Sequence, residues 1–319
     1  MRHVIYGAGA IGGSIGARLF QSGREVVLIA RGAHLQAIQR DGLVFRTAED
    51  TVTLPIPAAG SPAEIDWRGD EVVFLTMKSQ DTEAALQELR AAAGDVPVIC
   101  AQNGVANERM AARIFSRVYA MLVVLPATHL TPGEVILHSS PIGGCLDAGC
   151  YPQGTDALIG EVCADLEASN YAAAPDSHVM RIKHTKLLNN LGNIVQALCG
   201  DGAAGDIIRR VRDEAIKAYE AAGIEYAPSE ALAAKHERVS LKPIPGLGVR
   251  AGGSTWQSLE RGGTLETDWL NGEIALLGAL HGVPTPFNRM LQLAAVEAAR
   301  ESKRPGAYTV AELMARVAG

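Results

Sequence analysis

The stretch GAGAIG, residues 7–12, decides how the first half of the chain is read. Gly7, Gly9 and Gly12 fall at G-x-G-x-x-G spacing, a weak pattern on its own in a chain with 34 glycines. Its surroundings sharpen it. The apolar run HVIYG, residues 3–7, stops at the first glycine, and a helical pattern follows from about Ala10 to Ser22. A strand that turns tightly into a helix lets a pyrophosphate approach the backbone, where the first N–H groups of the helix lack partners. EVVLIAR, residues 25–31, then completes a βαβ start.

The same rhythm continues outward. EVVFLTMK (71–78), VPVICAQNG (96–104) and VYAMLVVLPAT (118–128) are compact apolar runs separated by helix-length segments such as TEAALQELRAAA (82–93). Near-continuous apolar strands with intervening helices predict a parallel sheet covered on both faces. VILHS (135–139) and GGCLDAG (143–149) read as strands closing this domain. From about Asp176 strands become sparse, and helical segments dominate at 178–200, 206–222, 228–238, 265–281 and 285–302. KPIPGLGVRAGGS (242–254) is a Pro/Gly loop. The expectation is an α/β fold of two domains with a cleft between them. Residues 1–176 form a Rossmann-type dinucleotide-binding domain, and residues 177–319 form an all-α domain for substrate and catalysis.

Composition sets the outer limits. The 319 residues are 48% hydrophobic and 20% charged, with net charge -6, which argues against general nucleic-acid binding. The longest strongly apolar run, Tyr119 to Ala127, is too short to span a bilayer and contains Pro126. The N-terminus reaches its glycine turn without the apolar core of a signal peptide, so a cytoplasmic enzyme is expected. Five cysteines, odd in number and without a C-x-x-C pair, predict reduced thiols and no metal site. A homodimer through the helical domain is compatible with this reading.

Several positions carry chemistry. In LIARG, Arg31 stands where an NAD enzyme usually places an acid, and a guanidinium there suits a 2′-phosphate. NADPH is therefore the expected cofactor. Lys78 and Asn103 each follow an apolar strand, at the edge where open α/β sheets bind ligands. A surface lysine, and turn chemistry before Gly104, are the plainer readings of these two. In KHTKLLNN (183–190) and the residues after it, Leu187, Leu191, Ile194, Val195 and Leu198 make one buried helical stripe. Lys186, Asn190 and Asn193 make a polar stripe about a quarter-turn away. Ser254 could be a helix cap, and Glu266 an acid placed at a helix start.

Taken together these residues resemble the ketopantoate reductases (2-dehydropantoate 2-reductases) over nearly the whole chain. The resemblance rests on Gly7, Gly9, Gly12, Arg31, Lys78, Asn103, the K-x-x-x-N of Lys186 and Asn190, Ser254, and Glu266 in ETDWLNG. It implies NADPH-dependent reduction of a small 2-keto acid, with 2-dehydropantoate the leading substrate in pantothenate biosynthesis. It makes Lys186 the general acid and Glu266 the partner of the nascent hydroxyl. Asn103 and Asn190 would position reactants, and Ser254 would hold the carboxylate or a substrate hydroxyl. The glycines, Arg31, Lys78 and Asn103 would hold the cofactor.

Three positions depart from the family pattern: Ile194 replaces an amide, Trp256 adds apolar bulk and Ser258 replaces an acid. They bear on substrate identity more than on reaction type. The rival readings are a β-hydroxyacid or opine-type dehydrogenase, which fits the Ser254–Glu266 segment less well, and a non-catalytic NADPH sensor.

Overall fold

The computed structural model describes residues 1–200, 204–247, 253–260 and 262–318, with only the backbone of Ser254 and Ala318. It contains two compact units: Met1–Lys183 with Pro228–Arg250, and His184–Ala227 with Ala251–Gly319.

The first unit opens with β1 (Arg2–Tyr6), α1 (Ala10–Gln21), β2 (Glu25–Ile29), α2 (Gly32–Asp41), β3 (Leu43–Arg46), β4 (Thr51–Leu54) and β5 (Ala58–Ala59). It continues with β6 (Glu71–Leu75), α3 (Thr82–Ala93), β7 (Val98–Cys100), α4 (Asn107–Ala112) and β8 (Val118–Met121). Then come β9 (Ala127–Thr128), β10 (Glu134–Leu137), β11 (Ala148–Cys150) and α5 (Ala157–Ala168). The main sheet runs β11-β8-β7-β6-β1-β2-β5. Every neighbouring pair is parallel except β8 with β11. Val4 of β1 lies opposite Val27 of β2 and Val73 of β6. Strand order reverses between β1 and β6, the switch point at which such sheets bind dinucleotides.

Side chains alternate across each strand, so the sheet has a core on each face. Ile5 packs in the layer that holds Ile15 and Leu19 of α1. Val4 and Tyr6 point into the other layer, with Leu86 and Leu89 of α3 and Ala111 of α4. The expected parallel sheet covered on both faces is present.

A second sheet, ordered β4-β3-β10-β9, was not read from the sequence. Its strands β3 and β4 are four residues each, and only one side of each is well buried. VILHS supplies β10 here rather than a strand of the main sheet, whereas GGCLDAG gives β11 on the main sheet's edge. Helix α1 is wedged between the two sheets. A Cβ on Gly16 would come within 2.7 Å of Leu28 on the main sheet, and one on Gly13 within 2.6 Å of Val135 on the second.

Helix α6 (Val179–Asn190) begins in the first unit and ends in the second. The second unit adds α7 (Asn193–Cys199) and α8 (Gly205–Ala222). The chain then returns to the first unit for α9 (Ser229–Glu237). There Lys235 pairs with buried Asp147 at 2.5 Å, Lys242 N donates to His138 O at 2.8 Å, and Arg46 donates to the Pro245 carbonyl at 3.0 Å. The second unit finishes with α10 (Ser254–Glu260), α11 (Asn271–His281), α12 (Pro286–Arg300) and α13 (Val310–Ala318).

Two expected helices are corrected. The segment 178–200 breaks after Asn190, and Gly192 restarts it as α7. The segment 265–281 starts as a 3₁₀ turn, Thr267–Trp269, and becomes α-helical only at Asn271. No described helix is long and apolar enough to cross a membrane.

One interaction fixes the start of α6. Lys183, 4% exposed, donates from Nζ to the carbonyls of Gln102 (3.0 Å), Met121 (3.1 Å) and Cys100 (3.4 Å). Its N–H bonds therefore go to the ends of β7 and β8. The fully buried carboxylate of Glu108 on α4 lies 2.8 Å away but off the hydrogen-bonding direction, so that contact is between charges. Removing one member of a buried pair strands the other, at a cost of about 3–5 kcal/mol. Glu108→Ala should lower unfolding free energy in urea by about that amount. The double variant Glu108→Leu/Lys183→Met should recover most of it. A single-variant loss below about 1 kcal/mol would show that the pair contributes no more than a surface contact.

Candidate active site

Four neighbouring strands of the first unit, in the order β7-β6-β1-β2, end on one edge of the main sheet. That edge collects Asn103, Lys78, the glycine loop and Arg31. Gly7 turns with φ +109°, and a Cβ there would lie 2.7 Å from Met77 N. Gly12 lets α1 settle on the sheet, since a Cβ would come within 2.3 Å of Thr76 Oγ1.

Gly9 is different: a Cβ there would meet no protein atom within 4 Å. Protein packing does not require a glycine there, and the open space leaves the backbone room for a ligand. Gly9 is also the N-cap of α1, without a side-chain cap, and no acid stands in the first turn. The helix therefore offers unsatisfied N–H groups and an unopposed positive dipole end. These features fit a pyrophosphate.

Arg31 is the N-cap residue of α2, beyond the end of β2, and its side chain is 61% exposed. Its guanidinium lies 3.9 Å from Glu88 of α3, which also accepts a hydrogen bond from Tyr6 Oη at 2.5 Å. Burial and the Glu88 carboxylate push the Tyr6 hydroxyl up to about 12. A pair of exposed ions this far apart is worth about 0–1 kcal/mol, whereas a hydrogen bond to a charged group contributes about 1.5–3 kcal/mol. A 2′-phosphate would therefore win Arg31 from Glu88.

Lys78 is half-buried just after β6 and precedes the 3₁₀ turn Ser79–Asp81. Asn103 is half-buried after β7. A buried amide and hydroxyl network locks these two loops together. Gln102 Nε2 donates to Thr82 Oγ1 (2.8 Å) and Thr82 Oγ1 to Asn107 Oδ1 (2.8 Å). Asn107 Nδ2 donates to Ser79 Oγ (3.1 Å) and to the Asn103 carbonyl (3.2 Å). Sequence reasoning missed Ser79, Thr82, Gln102 and Asn107. The available signal was the pair of amides flanking N-G directly after an apolar strand.

The other site residues lie in the second unit. Lys186 and Asn190 are half-buried on α6, while Leu187, Leu191, Ile194, Val195 and Leu198 are at most 2% exposed. Asn193 Nδ2 reaches Asn190 Oδ1 at 3.5 Å across the helix break. Glu266 is half-buried at the N-cap of the Thr267–Trp269 turn and makes no capping bond with its side chain. Ser254 opens α10, but its side chain lies outside the described residues.

A buried network ties these segments together. Asn271 Nδ2 donates to the Leu191 carbonyl (3.3 Å) and to Asn288 Oδ1 (3.1 Å). Asn288 Nδ2 donates to Val211 O (2.9 Å) and Glu214 (2.8 Å), and Glu214 also accepts from the backbone N–H of Phe287 and Asn288 at the start of α12. Among the three departing positions, Ile194 and Ser258 are inside the unit, and Trp256 is half-buried.

Among the described residues no cluster of three or more His, Cys, Asp or Glu could hold a metal. A family model described as ketopantoate reductase PanE/ApbA matches residues 3–150, and its C-terminal counterpart matches residues 178–297. The 2-dehydropantoate 2-reductase of Archaeoglobus fulgidus is 27% identical over 90% of this chain and 94% of its own. That of Pyrococcus horikoshii is 26% identical over 91% and 95%. A PanE/ApbA family ketopantoate reductase from Ralstonia eutropha JMP134 superposes with TM-score 0.79 at 28% identity, over 95% of this chain and 99% of that one. D-mandelate dehydrogenase in a ternary complex with NADH and anilino(oxo)acetate superposes with TM-score 0.80 at 23% identity over the same shares, a likeness of fold. With both units matched in order, the chain belongs to the ketopantoate reductase family and is an NADP-dependent oxidoreductase.

Proposed function

We propose that the chain reduces 2-dehydropantoate to pantoate, or a closely related 2-keto acid to its 2-hydroxy acid. The observation that carries this is Lys186: an ammonium on α6, half-buried beside a sealed apolar stripe, with the Asn190 amide one turn on. A lysine stem can pack on an apolar margin while its head extends towards a ligand. NADPH, when bound, supplies the hydride. As the carbonyl carbon gains that hydride, charge builds on oxygen, and Lys186 stabilises it and donates the proton. Glu266 accepts a hydrogen bond from the new hydroxyl. Asn103 and Asn190 hold the reactants, Lys78 assists the cofactor, and Ser254 takes the substrate carboxylate or hydroxyl. The five cysteines are free, and burial pushes the Cys145 thiol up to about 11, which suits reduced, unreactive thiols in a cytoplasmic enzyme.

The substrate's far end is the open part of this proposal. With Ile194 and Ser258 inside the unit, Trp256 is the departing residue best placed to touch a ligand. An apolar contact there discriminates poorly against a missing hydroxyl, whereas a polar site rejects such an analogue by about 10⁴–10⁵-fold. The test is kcat/KM for 2-dehydropantoate and for its analogue without the terminal hydroxyl, on wild type and Lys186→Ala. Wild type should accept the two within roughly a hundredfold. Lys186→Ala should lose about 10²–10⁴-fold in kcat on both, with NADPH affinity nearly intact. A wild-type preference above about 10⁴-fold would make Trp256 silent, and full turnover by Lys186→Ala would move the acid elsewhere.

Arg31 is proposed to select NADPH over NADH. Arg31→Ala should weaken NADPH binding by roughly 10- to 150-fold, the equivalent of about 1.5–3 kcal/mol, and change NADH binding little. Equal losses for both cofactors, read by fluorescence titration, would sink the assignment.

A homodimer through the second unit is also proposed. Leu276 and Leu280 on α11, and Leu293 and Val296 on the adjoining α12, are each at least 45% exposed. Spacings of four and three residues put each pair on one face of its helix. Sedimentation velocity at micromolar concentration should show a dimer that Leu280→Lys/Leu293→Lys converts to monomer. A monomeric wild type ends this reading.

A further inference from the structure

Besides Thr76, which donates to the Gly7 carbonyl, the glycine loop is held by His34, in the first turn of α2. The backbone N–H of Gly133 donates to His34 Nδ1 at 2.8 Å, so Nδ1 must present its lone pair. The ring proton then sits on Nε2, which donates to the Ala8 carbonyl at 2.7 Å. His34 thereby bridges the loop that carries Gly9 and the turn that enters β10 of the second sheet. The Ala8 carbonyl and the Gly9 N–H belong to one planar peptide unit. Holding that carbonyl sets the orientation of the backbone at Gly9, the position where a Cβ would meet only open space.

We propose that His34 is a positioning residue for the cofactor, a neutral strut that ties the glycine loop to the second sheet, keeps it shaped for a pyrophosphate, and loses its anchor on that sheet when protonated. A proton on Nδ1 would leave the Gly133 N–H facing another N–H, so the bridge breaks on that side. Of the surrounding groups, the Ala8 carbonyl favours the cation and the neighbouring His129 ring opposes it. The His129 ring lies 4.1 Å away between centroids, its Nδ1 donating to the Glu134 carbonyl at 2.9 Å. The Glu134 carboxylate is engaged by Arg46 at 3.0 Å, and Arg31 stands one turn earlier on the His34 helix. The glycine loop itself presents only backbone. Burial, the largest effect, pushes His34 below the ordinary histidine range; the bond to the Ala8 carbonyl opposes this, and His129 adds to the lowering. The neutral form is thus the binding form at neutral pH, and affinity is lost as pH falls through the lowered value.

The strut rests on the glycine loop being the pyrophosphate site. The test is NADP⁺ affinity by calorimetry for full-length wild type, His34→Gln and His34→Ala. It runs from about pH 8 to the lowest pH at which circular dichroism shows each protein folded. Glutamine can donate to Ala8 and accept from Gly133, but it does not titrate in the histidine range. At the alkaline end His34→Gln should bind like wild type, and His34→Ala roughly three- to tenfold more weakly. Towards the acid end wild type should weaken towards His34→Ala, and His34→Gln should bind more tightly than both. The 2′-phosphate of the ligand titrates near pH 6, but it does so for all three proteins and cancels in their ratios. His34→Ala equal to wild type at the alkaline end, or parallel curves for wild type and His34→Gln, would overturn the strut. If His34→Ala proves unfolded, the second criterion still decides. A wild type that binds no NADP⁺ at any pH would instead overturn the cofactor site beneath it.

Discussion

The wedging of α1 between two sheets is the constraint on which the first unit depends. A helix normally meets a sheet through side chains, about 10 Å away. Here Gly12 and Gly16 bring the helix backbone onto the main sheet, and Gly13 brings it onto the second. The closest approach is at Gly12, where the Thr76 hydroxyl occupies the space of a Cβ while donating to the Gly7 carbonyl at 2.8 Å. The residue after β6 thus fixes the turn after β1. Loop, helix and switch point become one rigid object, and the opening above Gly9 follows from how they are packed.

The second unit solves its positioning problem with polar groups instead of close backbone approach. Breaking the helix after Asn190 leaves carbonyls in the interior, and an unpaired buried carbonyl is costly. Asn271 supplies the Leu191 carbonyl with a donor, and Asn288 and Glu214 satisfy the rest of the chain of bonds. The asparagine of ETDWLNG is therefore structural. It ties the segment carrying Glu266 to the end of the helix carrying Lys186 and Asn190. The helix break and the L-N-G run make sense only together.

This division explains what could be read in the sequence. Strands β1, β2, β6, β7 and β8 are apolar on both faces and announce themselves, and with them the carboxyl edge and the position of Arg31. Strands β3 and β4 bury one side of four residues each, too little for a pattern to emerge. The apolar stripe from Leu187 to Leu198 stays buried through the break at Gly192, so periodicity reported burial correctly and hydrogen-bond continuity wrongly. The side chains of Gln102, Asn107 and Asn271 matter through partners far away in sequence, which spacing cannot show. Glu266 could be singled out only by resemblance, since an acid near a helix start is ordinary. Its missing side-chain cap becomes visible only in three dimensions.

Two lysines three residues apart on α6 show how far geometry separates roles that composition cannot. All the polar contacts of Lys183 are used: three strand-end carbonyls take its N–H bonds, and Glu108 balances its charge. At 4% exposure it also has little surface to offer a ligand. Lys186, one turn later, is half-buried beside an apolar stripe and is followed by the amide of Asn190. A general acid must reach its substrate and later recover a proton, and these conditions exclude the first lysine while admitting the second. Lys183 anchors the helix, and the role of acid is proposed only for Lys186.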